Sequence, residues 1–197
     1  ESGDNYVTFY HYSPQEEQGF PGNMHVTVTY TLDDEDTVHI TYHAKADADT
    51  VMNFTNHSYF NLAGHDSGVM LDQKLQLFAD AYTPDEDSHS IPTGEIAPVA
   101  GTPMDFTTMK PIGQDINADF EQLHFTGGYD HNYVLSDKPG TMRQMAKAEC
   151  DASGIAMDAY TECCGVQLYA GNFIGTQTGK GGVTYGDRHG FCLESQF

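Results

Sequence analysis

The chain has 197 residues, 39% of them hydrophobic and 12% aromatic, with 20 glycines and 8 prolines. That suits one globular core and is too short for two comfortable domains. A formal net charge of -21, from 29 acidic and 8 basic residues, repels phosphate backbones and argues against a nucleic-acid partner. No run of 18 apolar residues is present, which argues against a membrane-spanning helix.

In chain order, the opening ESGDNYVTFYHYS lacks the basic-then-apolar order of a secretory signal. In NMHVTVTYTL, Met24, Val26, Val28, Tyr30 and Leu32 share one face, and VHITYHA after the acidic turn DDED places Val38, Ile40, Tyr42 and Ala44 together. This predicts a hairpin with one buried side. VMNFTNHSYF is the next strand candidate, with Met52, Phe54 and Phe60 on one parity and Asn53, Thr55, His57 and Tyr59 on the other. KLQLFA follows as a strand, and the Pro-, Gly-, Asp- and Thr-rich stretch from Thr83 to Gln114 reads as long ordered loops. DINADFEQL can make a short helical turn or two. HNYVLS is a strand candidate, and RQMAKAEC, DASG and IAMDAYTEC form a second hairpin. GVQLYAG and GFCLESQ close the series. The pattern predicts an all-β, mostly antiparallel fold, a sandwich or barrel.

Polar residues interrupt these strands on one face. Gln167 and Tyr169 lie opposite Val166 and Leu168, and Cys192, Glu194 and Gln196 lie opposite Phe191 and Leu193. Asp130 and His131 follow a glycine pair at a strand entrance. Such a row of hydrogen-bonding groups suits the concave side of a sheet that binds something polar. Taken singly, each residue has a plainer reading. A strand histidine is usually a satisfied side chain, a late glutamate can guard a sheet edge, and an aspartate after glycines can close an Asx turn. Cys150, Cys163, Cys164 and Cys192 show no CxxC pair and no Cys/His spacing of a zinc site. They read as free thiols of a reducing, cytoplasmic compartment.

TNHSYFNLAG, IPTGEIAPV with the nearby MDF, GYDHNYVL, GVQLYAGNF and a glycine-preceded CLESQ stand in that order. Together they resemble the aldose 1-epimerase (galactose mutarotase) family from Ser13 to Gln196, with SPQEEQGFPGNMHVTVTYTL similar to its lead-in to paired strands. The resemblance implies a large antiparallel β-sandwich of the mutarotase-like supersandwich type, with a sugar cleft on one concave face. It implies a single partial domain over 1–197 that interconverts α and β anomers of aldohexoses such as galactose or glucose. His57 would be the general acid at the ring oxygen and Glu194 the general base at the anomeric hydroxyl. Asp130 and Gln167 would bind sugar hydroxyls. The expected partner is a monosaccharide, with neither nucleic acid nor membrane, and the expected state is monomer or weak dimer. A histidine and a carboxylate can exchange proton roles without cofactor or metal, so none is expected.

Departures accompany the resemblance. No counterpart appears before His57 for the family's upstream arginine and additional histidine, and the chain stops where the family continues into closing strands. The expectation is therefore an internal fragment, incomplete at both ends. CLESQ replaces the commoner CLETQ and keeps the glutamate. Two alternatives use the same fold: a hexose-6-phosphate 1-epimerase, which would want a basic phosphate cluster, and a non-catalytic sugar-binding or sensor module.

Overall fold

The computed structural model describes residues 1–135 and 138–197. Its strands are β1 (Tyr6–Ser13), β2 (Met24–Leu32), β3 (Val38–Ala46), β4 (Lys74–Leu77), β5 (Ala81–Tyr82), β6 (Ala97–Pro98), β7 (Lys110–Pro111), β8 (Asp130–Val134), β9 (Arg143–Cys150), β10 (Ile155–Thr161), β11 (Gly165–Tyr169), β12 (Gln177–Thr178), β13 (Thr184–Tyr185) and β14 (Cys192–Gln196), with one α-helix, α1 (Glu121–Thr126). The chain divides into two compact units, Glu1–Phe54 and Thr55–Phe197.

The first unit is a three-stranded antiparallel sheet in the order β1-β2-β3. The predicted hairpin is present, with Met24 paired to Ala46 and Leu32 to Val38, but its apolar face is not the buried side expected: only Val26 of that face is buried, and Leu32 and Val38 are exposed. Tyr6–Ser13 adds a strand that alternation did not single out, because aromatic residues fall on both of its faces. Of its side chains Phe9, Tyr10 and Tyr12 are exposed.

The second unit is a β-sandwich. A four-stranded sheet, β10-β9-β4-β7, and a five-stranded sheet, β14-β11-β8-β5-β6, contribute to one core. Leu75, Leu77, Ala146 and Ala148 come from the first sheet, and Tyr133, Val166, Leu168 and Leu193 from the second. Each such side chain withdrawn from water stabilises the unit by about 1.5–3 kcal/mol when large and aliphatic. The predicted loops of 83–114 pack inward through Val99, Met104, Phe106 and Ile112, all at most 1% exposed. Their carbonyls are used too: Tyr129 OH donates to Pro103 O at 3.0 Å and Tyr133 OH to Met104 O at 3.1 Å. The short helix falls at Glu121–Thr126, later than DINADFEQL predicts, and ends on Gly127 in the left-handed conformation (φ 64°).

One strand prediction is corrected. From Val51 to Tyr59 the backbone forms no strand ladder among the described residues, and Phe60 makes an isolated antiparallel bridge to Phe191. Val51, Met52 and Tyr59 are exposed. Alternation is necessary for a half-buried strand but does not provide the partner strand that a ladder requires. The expected strand HNYVLS is seen as Asp130–Val134, and its Ser136 lies outside the described residues.

Candidate active site

The five-stranded sheet places the polar residues by register. Gln167 on β11 is paired with Asn132 on β8 and Glu194 on β14, forming one cross-strand row. The adjacent row on the same face joins Tyr169 to Asp130 and Cys192. The intervening row, His131, Leu168 and Leu193, turns into the core. An open pocket of about 380 Å³ forms over this face, lined by Thr55, His57, Tyr59, Asp130, Gln167, Tyr169, Glu194 and Gln196. That volume is within the usual range for a small-molecule site.

His57 reaches the pocket from a loop, and the motif TNHSYFNLAG explains how the loop is held. Asn56 Oδ1 accepts the Ser58 N–H at 3.2 Å, closing an Asx turn around His57. Phe60 exchanges backbone hydrogen bonds with Phe191, just before β14. Asn61 donates to Gly68 O and His189 O, each at 2.9 Å, while its Oδ1 accepts from Gln73 Nε2, Ser67 Oγ and Ala63 N. One asparagine thus ties the loop to three other segments. A loop clamped this way can position a side chain without belonging to a sheet.

The result is a close pair. His57 Nε2 lies 3.4 Å from Glu194 Oε1, and His57 Nδ1 lies 3.4 Å from Cys192 Sγ. Tyr59 and Tyr169 wall the imidazole, with ring centroids 5.1 and 5.9 Å away. Burial, together with the neighbouring Asp130 charge, raises the Glu194 carboxyl above its usual range, while the His57 charge opposes that rise. Asp130 is likewise raised, by burial first, against a hydrogen bond from Gln167 and the pull of His57. Burial pushes the Tyr59 hydroxyl up to about 12, so it stays a neutral donor.

The four sequence-predicted residues are therefore brought together. Gln167 Nε2 donates to Asp130 Oδ1 at 2.9 Å. Thr55, Tyr59, Tyr169 and Gln196 of the lining, and Asn132 beneath it in the register, escaped the sequence reading as site residues. Gln196 Nε2 donates to both Asn132 Oδ1 at 3.0 Å and Gln167 Oε1 at 3.2 Å, completing a chain of amides. Period two counted from Asp130 would have put Asn132 on this face, and Gln196 follows from Glu194 in the same way. The glycine that opens β11 is also explained: a Cβ on Gly165 would overlap Asn132 Oδ1. The strand entrance is fastened by Asn172 Nδ2, which donates to Thr126 O at 3.1 Å and Tyr129 O at 3.0 Å.

His131 takes no part in the pocket. Its Nδ1 accepts the Asp130 N–H at 3.2 Å, and its ring is buried with Nε2 3.9 Å from Asp85 Oδ2. Burial lowers its pKa to about 4, so it is a neutral core residue.

Ligand atoms of His57, Cys192 and Glu194 fall within 4.8 Å of one another. The imidazole, however, turns a different nitrogen to each partner. Burial and the Glu194 and Asp130 charges also hold the Cys192 thiol well above its ordinary range. Glu194 and Cys192 therefore meet different nitrogens of one imidazole, each 3.4 Å away, an arrangement suited to hydrogen bonding with the ring.

Comparison with known proteins places the geometry in a family. A family model described as aldose 1-epimerase matches residues 1–197. The chain is 44% identical to mouse galactose mutarotase over 193 residues, covering 98% of this chain and 54% of that protein. It is 39% identical to aldose 1-epimerase of Escherichia coli K12 over 194 residues, covering 98% and 55%. Among solved structures, a GalM/aldose epimerase homologue from C. elegans superposes with a TM-score of 0.85 at 27% identity, covering 100% of this chain and 57% of that one. Galactose 1-epimerase from Lactobacillus acidophilus NCFM gives 0.81 at 28%, covering 100% and 56%. The chain spans about half the length of the curated relatives it matches.

Proposed function

Because this chain belongs to the aldose 1-epimerase family, we propose that it supplies the acid and base with which an aldohexose, galactose or glucose, has its anomers interconverted. The observation that carries the reading is the 3.4 Å approach of His57 Nε2 to Glu194 Oε1 on the floor of a polar pocket. The two oxygens of a hemiacetal that exchange protons sit on one carbon, so the groups that serve them must be neighbours.

Glu194 removes the proton from O1 while protonated His57 delivers one to O5. The C1–O5 bond breaks, the O1 electrons form the carbonyl, and an open-chain aldehyde results. After rotation about C1–C2, O5 attacks the carbonyl from the other face. Its proton returns to His57 and the Glu194 proton returns to O1, so enzyme and sugar are restored with inverted C1. Asp130 and Gln167 would hold hydroxyls and fix the orientation of the ring. The four free cysteines support the expected cytoplasmic setting, and the family match running through both units supports reading 1–197 as parts of one domain.

The lining among the described residues is polar and aromatic, with two carboxylates, Asp130 and Glu194, which favours a neutral sugar over a sugar phosphate. A passive binding module would have no need of a matched acid and base. The test is polarimetry of freshly dissolved α-D-glucose or α-D-galactose with the full-length protein. Wild type should speed mutarotation, and His57→Ala and Glu194→Gln should each lose roughly 10²–10⁴-fold. No acceleration by wild type removes the enzymatic reading, and full activity in both variants removes these residue roles.

A further inference from the structure

The geometry points to a role for Cys192 that rests on the acid/base reading above. We propose that its sulfur is the orienting partner of His57, keeping a proton on Nδ1 so that Nε2 alone exchanges protons with the sugar. Cys192 is placed for this by its strand: it precedes Glu194 by one full alternation, pairs with Tyr169, and is fully buried under the imidazole. Its Sγ lies 3.4 Å from Nδ1, while Nε2 is the nitrogen that faces Glu194.

The proton inventory of the reaction makes this contact consequential. Protonated His57 carries hydrogens on both nitrogens. Once Nε2 has given its proton to O5, the neutral ring must retain the Nδ1 hydrogen, leaving Nε2 bare to take the proton back. Without a partner at Nδ1 the neutral ring is free to hold its hydrogen on either nitrogen or to turn away. A hydrogen-bond acceptor at Nδ1 is the usual means of setting both tautomer and ring direction.

Sulfur is an unusual choice and has a specific effect. The groups facing His57 from the packed elements are the Glu194 and Asp130 carboxylates and the Tyr59 and Tyr169 rings. Two carboxylates already face the ring. A third carboxylate at Nδ1 would tighten its hold on the proton that O5 has to receive. A thiol is a weak, uncharged acceptor, and buried as Cys192 is, it remains a thiol. It therefore orients the ring without further lowering the acidity of the catalytic proton. Cys192 contacts His57 and is not among the residues that line the pocket, so it is a positioning residue.

The experiment compares Cys192→Ala, Cys192→Ser and Cys192→Asp in the full-length protein, measuring kcat, KM and the pH profile of kcat/KM by polarimetry, with thermal melts to confirm folding. Alanine should lower kcat about tenfold, the size of one lost hydrogen bond, with KM little changed. Its alkaline limb should fall to lower pH as the imidazolium loses an acceptor. Serine, which keeps an acceptor, should recover most of kcat. Aspartate, where folded, should move the alkaline limb to higher pH. Wild-type kcat and pH profile in Cys192→Ala overturn the proposal. So does an equal loss in alanine and serine with an unmoved limb, which signals packing alone. Failure of the acid/base reading is seen separately, as retained activity in His57→Ala and Glu194→Gln.

Discussion

Gln167 lies directly beside Glu194 in the sheet register, yet its amide donates to Asp130, 2.9 Å away. That choice separates two half-buried carboxylates that share one pocket. Asp130 is held by an amide and is suited to fixing a sugar hydroxyl. Glu194 has His57 as its charged partner among the described residues and is suited to moving a proton. Gln196 enforces the distinction, since by donating to Gln167 Oε1 it turns the Gln167 NH₂ toward Asp130.

Activity should fall on the acid side at a pH above the ordinary glutamate value of about 4.3. Glu194 must be ionised to act as base, and burial raises its pKa. In the pH profile of kcat/KM, the lower limb of wild type is expected to sit above that ordinary value and to move up further when His57 is replaced by an uncharged residue, in whatever activity remains. A limb at or below the ordinary value would remove the raised carboxyl from the account.

Glu194→Gln should make the protein more stable while it destroys activity. The folded-state pKa of Glu194 lies above its unfolded value, so the fold favours the protonated form. The associated stability is complete below the unfolded pKa and is lost as pH rises through the folded one. At pH 7 wild type bears that cost and the glutamine variant does not. Its Tm is expected to exceed wild type by about a few degrees at pH 7, with the difference vanishing near pH 4. A lower Tm at pH 7 for the variant would contradict this.

Gly165→Ala tests the amide chain. The added methyl overlaps Asn132 Oδ1, so Asn132 must leave its bond with Gln196, and the Gln167–Asp130 contact loses its support. Sugar affinity should weaken, with KM rising about tenfold and kcat changing less, and stability should drop by about 1–3 kcal/mol from overpacking. Unchanged KM with lowered stability would show that the chain of amides is structural only.

Much of the fold was legible locally. The Met24–Leu32/Val38–Ala46 and Arg143–Cys150/Ile155–Thr161 hairpins join neighbouring segments through short turns, so alternation and turn chemistry suffice to predict them. Val51–Tyr59 shows the limit: it alternates like a strand but forms no strand ladder among the described residues, and pairing depends on segments distant in the chain. The loops of 83–114 could be read as ordered, though nothing local says that Met104 and Phe106 plug the core.

For the site, period two by itself determined that Asp130, Gln167, Glu194, Cys192 and Gln196 turn polar atoms to one side of their strands, because successive side chains must point to opposite faces. Motif resemblance added that His57 belongs with them. Only the tertiary structure decided who touches whom. Register set Gln167 between Asn132 and Glu194, and the Asn61 clamp and the Phe60–Phe191 bridge delivered His57 from outside the sheet. Which nitrogen of that histidine meets the carboxylate and which meets the thiol is fixed by packing between segments far apart in sequence, where no local pattern reaches.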